Sequence, residues 1–62
     1  MPTTTTAAEL VLEHLAMARM ALVVGDDAHR RVRMWQARAL AELDAPRLLE
    51  TVIHEENSQK NL

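Results

Sequence analysis

The chain has 62 residues, which suffice for one small domain whose hydrophobic core is marginal. It contains no cysteine, so disulfides and thiolate metal sites are excluded as sources of stability. Its formal net charge of −2 excludes binding to a polyanion by bulk charge alone. Among the devices that stabilise small domains, oligomerisation and regular helix packing therefore remain.

Apolar residues make up 48% of the chain, and they are mostly alanine, leucine, valine and methionine. The single aromatic residue is Trp35, and tyrosine and phenylalanine are absent. β-Sheets usually contain those aromatic residues, whereas alanine, leucine, methionine, arginine and glutamate favour helices. We therefore predict an all-α protein.

The first helix is predicted at about residues 7–24. Thr6 can accept a hydrogen bond from the N-terminus of this helix, and Glu9 three positions later completes a capping box. Gly25, the only glycine, follows at the position where a left-handed residue commonly ends a helix. Residues 1–5 carry no apolar pattern, and we expect them to form a disordered leader.

The second helix is predicted at about residues 27–43. Asp26 or Asp27 can cap its N-terminus and interact favourably with its dipole. Because the connection that begins at Gly25 is very short, the two helices should be antiparallel neighbours. The sequence thus predicts a helical hairpin.

Pro46 interrupts the helical pattern after the second helix, because proline lacks a backbone N–H and disfavours helix at the preceding residue. With Asp44 as a cap, residues 46–56 should form a short third helix or a kinked continuation of the second. Residues 57–62 are polar, and we expect a disordered tail. The predicted single helical domain therefore covers residues 6–56.

The first helix carries two adjoining apolar stripes at helical spacing. The first stripe consists of Val11, Leu15, Ala18 and Leu22. The second stripe consists of Leu10, His14, Met17, Ala21 and Val24. Together they cover about half of the helix circumference, which is more than one neighbouring helix can bury. We therefore predict that the second stripe is the interface of a homodimeric helical bundle, since two-fold dimers are the commonest small assemblies.

The second helix has apolar residues on two opposite faces. The predicted core face contains Ala28, Val32, Trp35, Ala39 and Leu43. The predicted partner-binding face is a narrow apolar strip with an arginine border: Arg30, Arg31, Arg33, Met34, Ala37, Arg38 and Ala41. Arginine and methionine are both enriched at protein interfaces. The alternative is that these arginines pair with nearby acidic residues such as Glu42, or simply solvate the helix.

The sequence contains no pattern typical of catalysis or of a metal site. His14 and His54 lie directly beside glutamates, whereas ligand pairs on a helix are three or four positions apart. His29 is expected to be exposed, and Ser58 lies in the predicted tail, where a nucleophile is implausible. We therefore predict a protein that is not an enzyme and uses no metal and no cofactor.

The predicted function is that of a small adaptor or regulator that docks on a larger protein, such as a bacterial or phage accessory protein that inhibits a host factor. Two alternatives stay open: a helical-hairpin dimer that binds RNA or DNA with its arginine face, and a structural subunit of a larger complex. The apolar stretch 10–24 contains charges, is shorter than a bilayer span and follows no basic segment. We therefore expect no membrane partner and no signal peptide, and a soluble, cytoplasmic protein.

Overall fold

The chain folds into three α-helices that run alternately in opposite directions. A computed structural model describes residues 5–60, with α1 at Ala7–Val24, α2 at Asp27–Asp44 and α3 at Leu49–Lys60. A 3-10 turn at Pro46–Leu48 leads into α3, and no strand occurs within the described residues. The all-α prediction is therefore confirmed for this part of the chain. The first four residues of the predicted leader and the last two of the predicted tail lie outside it.

Both ends of α1 are set by interactions within a few residues. At its start, the Thr6 hydroxyl accepts a hydrogen bond from the Glu9 N–H and donates one to the Glu9 carboxylate, each at 3.2 Å. At its end, Gly25 adopts φ 80° and ψ 17°, a left-handed conformation that costs glycine little. The Asp26 N–H then donates to the Ala21 carbonyl at 2.9 Å, which closes the helix and turns the chain back.

α2 packs against α1 in the opposite direction. Its first turn is capped by the Asp26 carboxylate, which accepts a hydrogen bond from the His29 N–H at 3.1 Å. Further along, the Arg33 guanidinium lies 3.1 Å from a nitrogen of the His14 ring, so the two helices stay in contact well beyond the turn. They form the hairpin that the short connection predicts.

A break at Ala45 and Pro46 separates α3 from α2. Ala45 leaves the helical conformation, with φ −142° and ψ 60°. Pro46 begins the 3-10 turn, where its missing N–H costs nothing. The Ala45 N–H donates to the Ala41 carbonyl at 3.1 Å, which satisfies the last turn of α2. Of the two predicted alternatives, the separate third helix is therefore the one that forms.

α3 extends further than the sequence predicts. It runs to Lys60, so the prediction of a disordered tail is wrong for residues 57–60. Gln59 is 7% exposed, and its carbonyl accepts from Arg30 at 3.2 Å while its amide donates to Glu55 at 3.2 Å. One hydrogen bond to α2 and one within α3 thus order this last turn, and a search for apolar periodicity detects neither.

The hydrophobic core lies where the three helices meet, and it is built largely from small side chains. Its buried members are Val11, Leu15, Ala18, Met34, Ala37, Ala41, Ala45 and Val52. Four of these eight residues are alanines, which let helix backbones approach closely but bury little apolar surface. Most of the first stripe of α1 is therefore in the core, as the sequence predicts, but the core itself is small.

The two faces of α2 are the reverse of those predicted. Trp35 is 70% exposed and Leu43 is 80% exposed, so the predicted core face points to solvent. Met34 is 3% exposed and Ala37 and Ala41 are fully buried, so the apolar strip assigned to a partner lies in the core instead. The physical reason is the close packing of α2 against its neighbours, which accommodates alanines and one flexible methionine but not an indole ring.

Candidate functional site

Five apolar residues lie along one edge of the exposed side of α2, beside exposed charged residues that include Arg31, Arg38 and Glu42. We name this surface the Trp35 face, and it contains Ala28, Val32, Trp35, Ala39 and Leu43. Val32, Trp35 and Leu43 are each more than half exposed. The indole alone leaves ~150 Å² of largely apolar surface in water. Single apolar side chains are ordinary on a protein surface, but several large ones exposed on one side of a helix are a candidate interaction site.

A groove lies beside Trp35, between α2 and the C-terminal part of α3. Its volume is about 310 Å³, and its lining consists of Arg30, Arg31, Met34, Trp35, Arg38, Glu56 and Lys60. We name it the Trp35 groove. The buried side chain of Met34 forms its base. One wall includes Lys60, which lies in the segment expected to be a disordered tail, so the sequence alone could not reveal this groove.

The arginines of the Trp35 groove are paired with acidic residues of the same helix. The Asp27 carboxylate accepts hydrogen bonds from both Arg30 and Arg31, each with an N–O distance of 2.7 Å. These two guanidinium groups hold the pKa of Asp27 below its usual value, the hydrogen bond from Arg30 contributing most. Arg38 lies 3.3 Å from Glu42. The alternative reading of the arginines, as partners of nearby acids, therefore describes this side of α2.

The predicted partner-binding residues do not share one surface. Three of them reach the Trp35 groove as exposed or half-buried cations: Arg30, Arg31 and Arg38. Three others belong to the core: Met34, Ala37 and Ala41. Arg33 points elsewhere, because its Nε donates to His29 Nε2 at 3.1 Å and its Nη1 lies 3.1 Å from His14 Nδ1. Arg33 and these two histidines therefore line the seam between α1 and α2.

The second stripe of α1, predicted as the dimer interface, is only partly covered. Its burial changes along the helix: Leu10, His14 and Met17 are half-buried, Ala21 is buried and Val24 is exposed. His14 contacts α2, whereas Arg19 contacts α3 from a position about 140° further around the α1 axis. Met17 lies beyond His14 on the side away from Arg19, so the stripe faces away from α3.

A third apolar patch lies on the outer side of α1. Leu12, Met20 and Val23 are each more than half exposed. The sequence assigns them neither to the core nor to a binding site, and they occupy a different side of the helix from the second stripe. Substitution of one of these residues therefore measures the effect of removing an exposed apolar side chain outside the Trp35 face.

A set of polar side chains holds α3 on the hairpin, and we name it the α3 clamp. The Arg19 guanidinium donates to the Glu55 carboxylate, with Nε 2.9 Å from Oε1. Glu55 also accepts from Gln59, which in turn accepts from Arg30 of α2. The hydrogen bond from Arg19, helped by Gln59, keeps the pKa of Glu55 below its usual value although burial acts the other way. Since Arg19 and Glu55 are 36 residues apart, local sequence patterns do not reveal the clamp.

The described residues hold no group of three histidine, aspartate or glutamate side chains placed to bind a metal ion. Within residues 5–60, none of the helices combines the length and the hydropathy that crossing a bilayer requires. Comparison of the chain with protein-family models, with curated proteins and with solved structures finds no match. A function must therefore be inferred from the surfaces themselves, and the Trp35 face with its groove is the candidate that contains the most exposed aromatic surface.

Proposed function

We propose that the protein is a small non-enzymatic adaptor or regulator that binds a larger protein through the Trp35 face. The observation that carries the proposal is the exposure of Trp35, the only aromatic residue of the chain, on an apolar side of α2. A core in which half of the buried residues are alanines leaves this largest apolar side chain outside, where a second protein can bury it. Tryptophan is among the residues that contribute most to binding at protein interfaces.

The Trp35 face has the composition of an interface centre with a charged border. Complete burial of an exposed leucine or valine contributes roughly 1.5–3 kcal/mol, so Leu43 and Val32 can add substantially to the contribution of Trp35. Arg31 and Arg38 lie along the groove edge, where charges affect register and association rate more than affinity. Of the site predicted from the sequence, the proposal therefore keeps Arg31 and Arg38. The predicted apolar strip lies in the core, and the Trp35 face takes its place.

We also propose that two copies of the chain associate through the second stripe of α1. Val24 is exposed, and Leu10 and Met17 keep part of their surface in water. A second copy would cover these side chains and enlarge a core in which few large residues are buried. Self-association and the binding of a larger protein are separate properties, and each has its own test.

Nucleic-acid binding has less support than protein binding. Arg30, Arg31 and Arg38 are each paired with an acidic residue of α2, so their positive charge is locally balanced. Nucleic-acid affinity grows with the number of phosphates that are neutralised, and these paired arginines leave few free cations on a chain whose net charge is −2. A structural subunit of a larger complex is the other alternative, and co-purification at fixed stoichiometry under all conditions would distinguish it from a regulator.

The test compares host proteins captured by the wild type, by Trp35→Ala and by the matched control Met20→Ala. Met20 is also mostly exposed, but it lies on α1 outside the Trp35 face. We expect the wild type and Met20→Ala to capture the same protein, with or without RNase, and Trp35→Ala to lose it while staying helical by circular dichroism. Undiminished capture by Trp35→Ala, or capture that requires RNA, would show that the proposal is wrong.

A further inference from the structure

The Trp35 groove combines an apolar base with a cationic rim. Met34 is buried at its base, and the largely exposed indole of Trp35 forms one edge. Its lining includes one acid, Glu56, and four cations: Arg30, Arg31, Arg38 and Lys60. A ligand that fits must therefore present an apolar group to the base and negative charge to the rim.

The rim carries more cations than acidic partners. Asp27 balances two guanidinium groups, while the other two cations have one acidic partner each, which leaves four cations against three acids. Arg31 is the most accessible of the four, because its side chain is 74% exposed and shares Asp27 with Arg30. Exposed ion pairs contribute little to stability, so an incoming carboxylate can join or replace one at small cost.

We infer that the Trp35 groove takes an acidic amphipathic segment of the partner protein, with an apolar side chain in the groove and carboxylates on the rim. This inference rests on the proposed function and adds the chemistry of the partner. A guanidinium has five N–H donors, so Arg31 can keep Asp27 and still bind a carboxylate of the segment. A volume of about 310 Å³ holds one or two side chains, which suits a peptide segment rather than a flat protein surface.

Other occupants fit the groove less well. A basic segment would bring like charges onto the rim, which costs free energy. A nucleic-acid strand could stack a base on Trp35, but the buried thioether of Met34 offers a base no strong hydrogen bond. An acidic amphipathic segment satisfies the apolar base and the charged rim together.

The probe is a synthetic helical peptide with leucines on one face and glutamates elsewhere, and the matched peptide has lysines in place of the glutamates. Because Trp35 is the only tryptophan of the chain, its fluorescence reports burial of the indole directly. We expect the glutamate peptide to shift the emission to shorter wavelength with an affinity that falls as salt rises. The lysine peptide should leave the emission unchanged.

Two variants test the rim. Arg31→Gln/Arg38→Gln should weaken binding of the glutamate peptide about tenfold, the loss expected for two exposed charge pairs. Arg47→Gln is the matched control, because Arg47 is an exposed arginine outside the groove, and it should bind as the wild type does. Equal binding of the two peptides, or unchanged binding by the double variant, overturns the inference.

The inference and the proposed function fail in different ways. If Trp35→Ala loses the captured host protein but the glutamate peptide does not bind the wild type, the proposed function stands and the acidic segment is wrong. If single-stranded RNA shifts the Trp35 emission and the glutamate peptide does not, the inference is overturned in favour of nucleic-acid binding. A shift by the glutamate peptide alone, reduced in Arg31→Gln/Arg38→Gln, supports it.

Discussion

Met34 and Trp35 are neighbours in the chain and have opposite environments. Met34 is buried where the three helices meet, whereas most of the Trp35 side chain is in water. Replacing each in turn by alanine tests which side of α2 faces the core. We expect Met34→Ala to destabilise the protein strongly and Trp35→Ala to leave the free energy of unfolding nearly unchanged.

The expected sizes of the two effects differ widely. Truncation of a buried methionine to alanine costs about 2–5 kcal/mol, because apolar contacts are lost and a cavity is left. A domain of this length has a total unfolding free energy of roughly 3–9 kcal/mol. Met34→Ala should therefore lower the Tm by roughly 10–30 °C. Trp35→Ala removes few contacts and introduces a better helix former, so its Tm should stay within ~4 °C of the wild type.

Circular dichroism at the helix band, recorded against temperature, measures both midpoints. The protein concentration is kept low enough for one chain mass in sedimentation, so that self-association contributes to neither midpoint. Val52→Ala is the positive control, because Val52 is fully buried on α3 and its truncation should also lower the midpoint. A larger loss for Trp35→Ala than for Met34→Ala would mean that α2 is turned the other way about its axis, and would refute the packing described above.

Three further predictions concern assembly, pH and the end of α3. Light scattering at micromolar concentration should give twice the chain mass of 7.0 kDa, and Met17→Glu should return it to one chain mass by placing an unpaired charge in the interface. The pKa of Glu55 is lowered in the folded state, so its contribution to stability is present above the ordinary value of about 4.3 and is lost as pH falls through the folded value. Glu55→Gln should therefore flatten the fall in Tm below about pH 4.3, and the exposed α3 control Glu50→Gln should not. Removal of residues 57–62 should lower the Tm in thermal melting, and Gln59→Ala alone should lower it by ~4 °C or more through loss of two hydrogen bonds. A single chain mass, an unaltered pH profile or an unchanged midpoint would contradict the respective prediction.

The ends of the first two helices are predictable from sequence because the interactions that set them are local. Thr6 and Asp26 each cap a backbone N–H three residues ahead, and Gly25 returns its own N–H to the preceding turn. A short stretch of sequence therefore contains every partner. The same locality makes the break at Pro46 predictable, since proline acts on its own residue and the one before it.

The orientation of α2 is not predictable in this way, because both of its faces repeat apolar residues at helical spacing. The large side chains of the Trp35 face would bury more apolar surface, whereas the alanines of the opposite face let neighbouring helices approach closely. Only the packing of the three helices decides which face is buried. The last turn of α3 is a similar case, because Gln59 is ordered by Arg30, 29 residues earlier in the chain. Arg31 and Arg38 border both faces of α2, so they lie at the edge of the exposed face whichever face is buried.

The division between a small core and a large apolar exterior links partner binding to stability. Alanines let the helices approach closely, but Trp35 and Leu43 remain exposed. These two large side chains therefore add little to the stability of the isolated chain. A partner that binds only the folded chain stabilises it by about 2.7 kcal/mol when its free concentration is roughly a hundred times Kd. Against the roughly 3–9 kcal/mol expected for a domain of this length, that increment is large. Addition of the captured partner should therefore raise the Tm of the wild type but not that of Trp35→Ala, because only the wild type can bury its indole on binding.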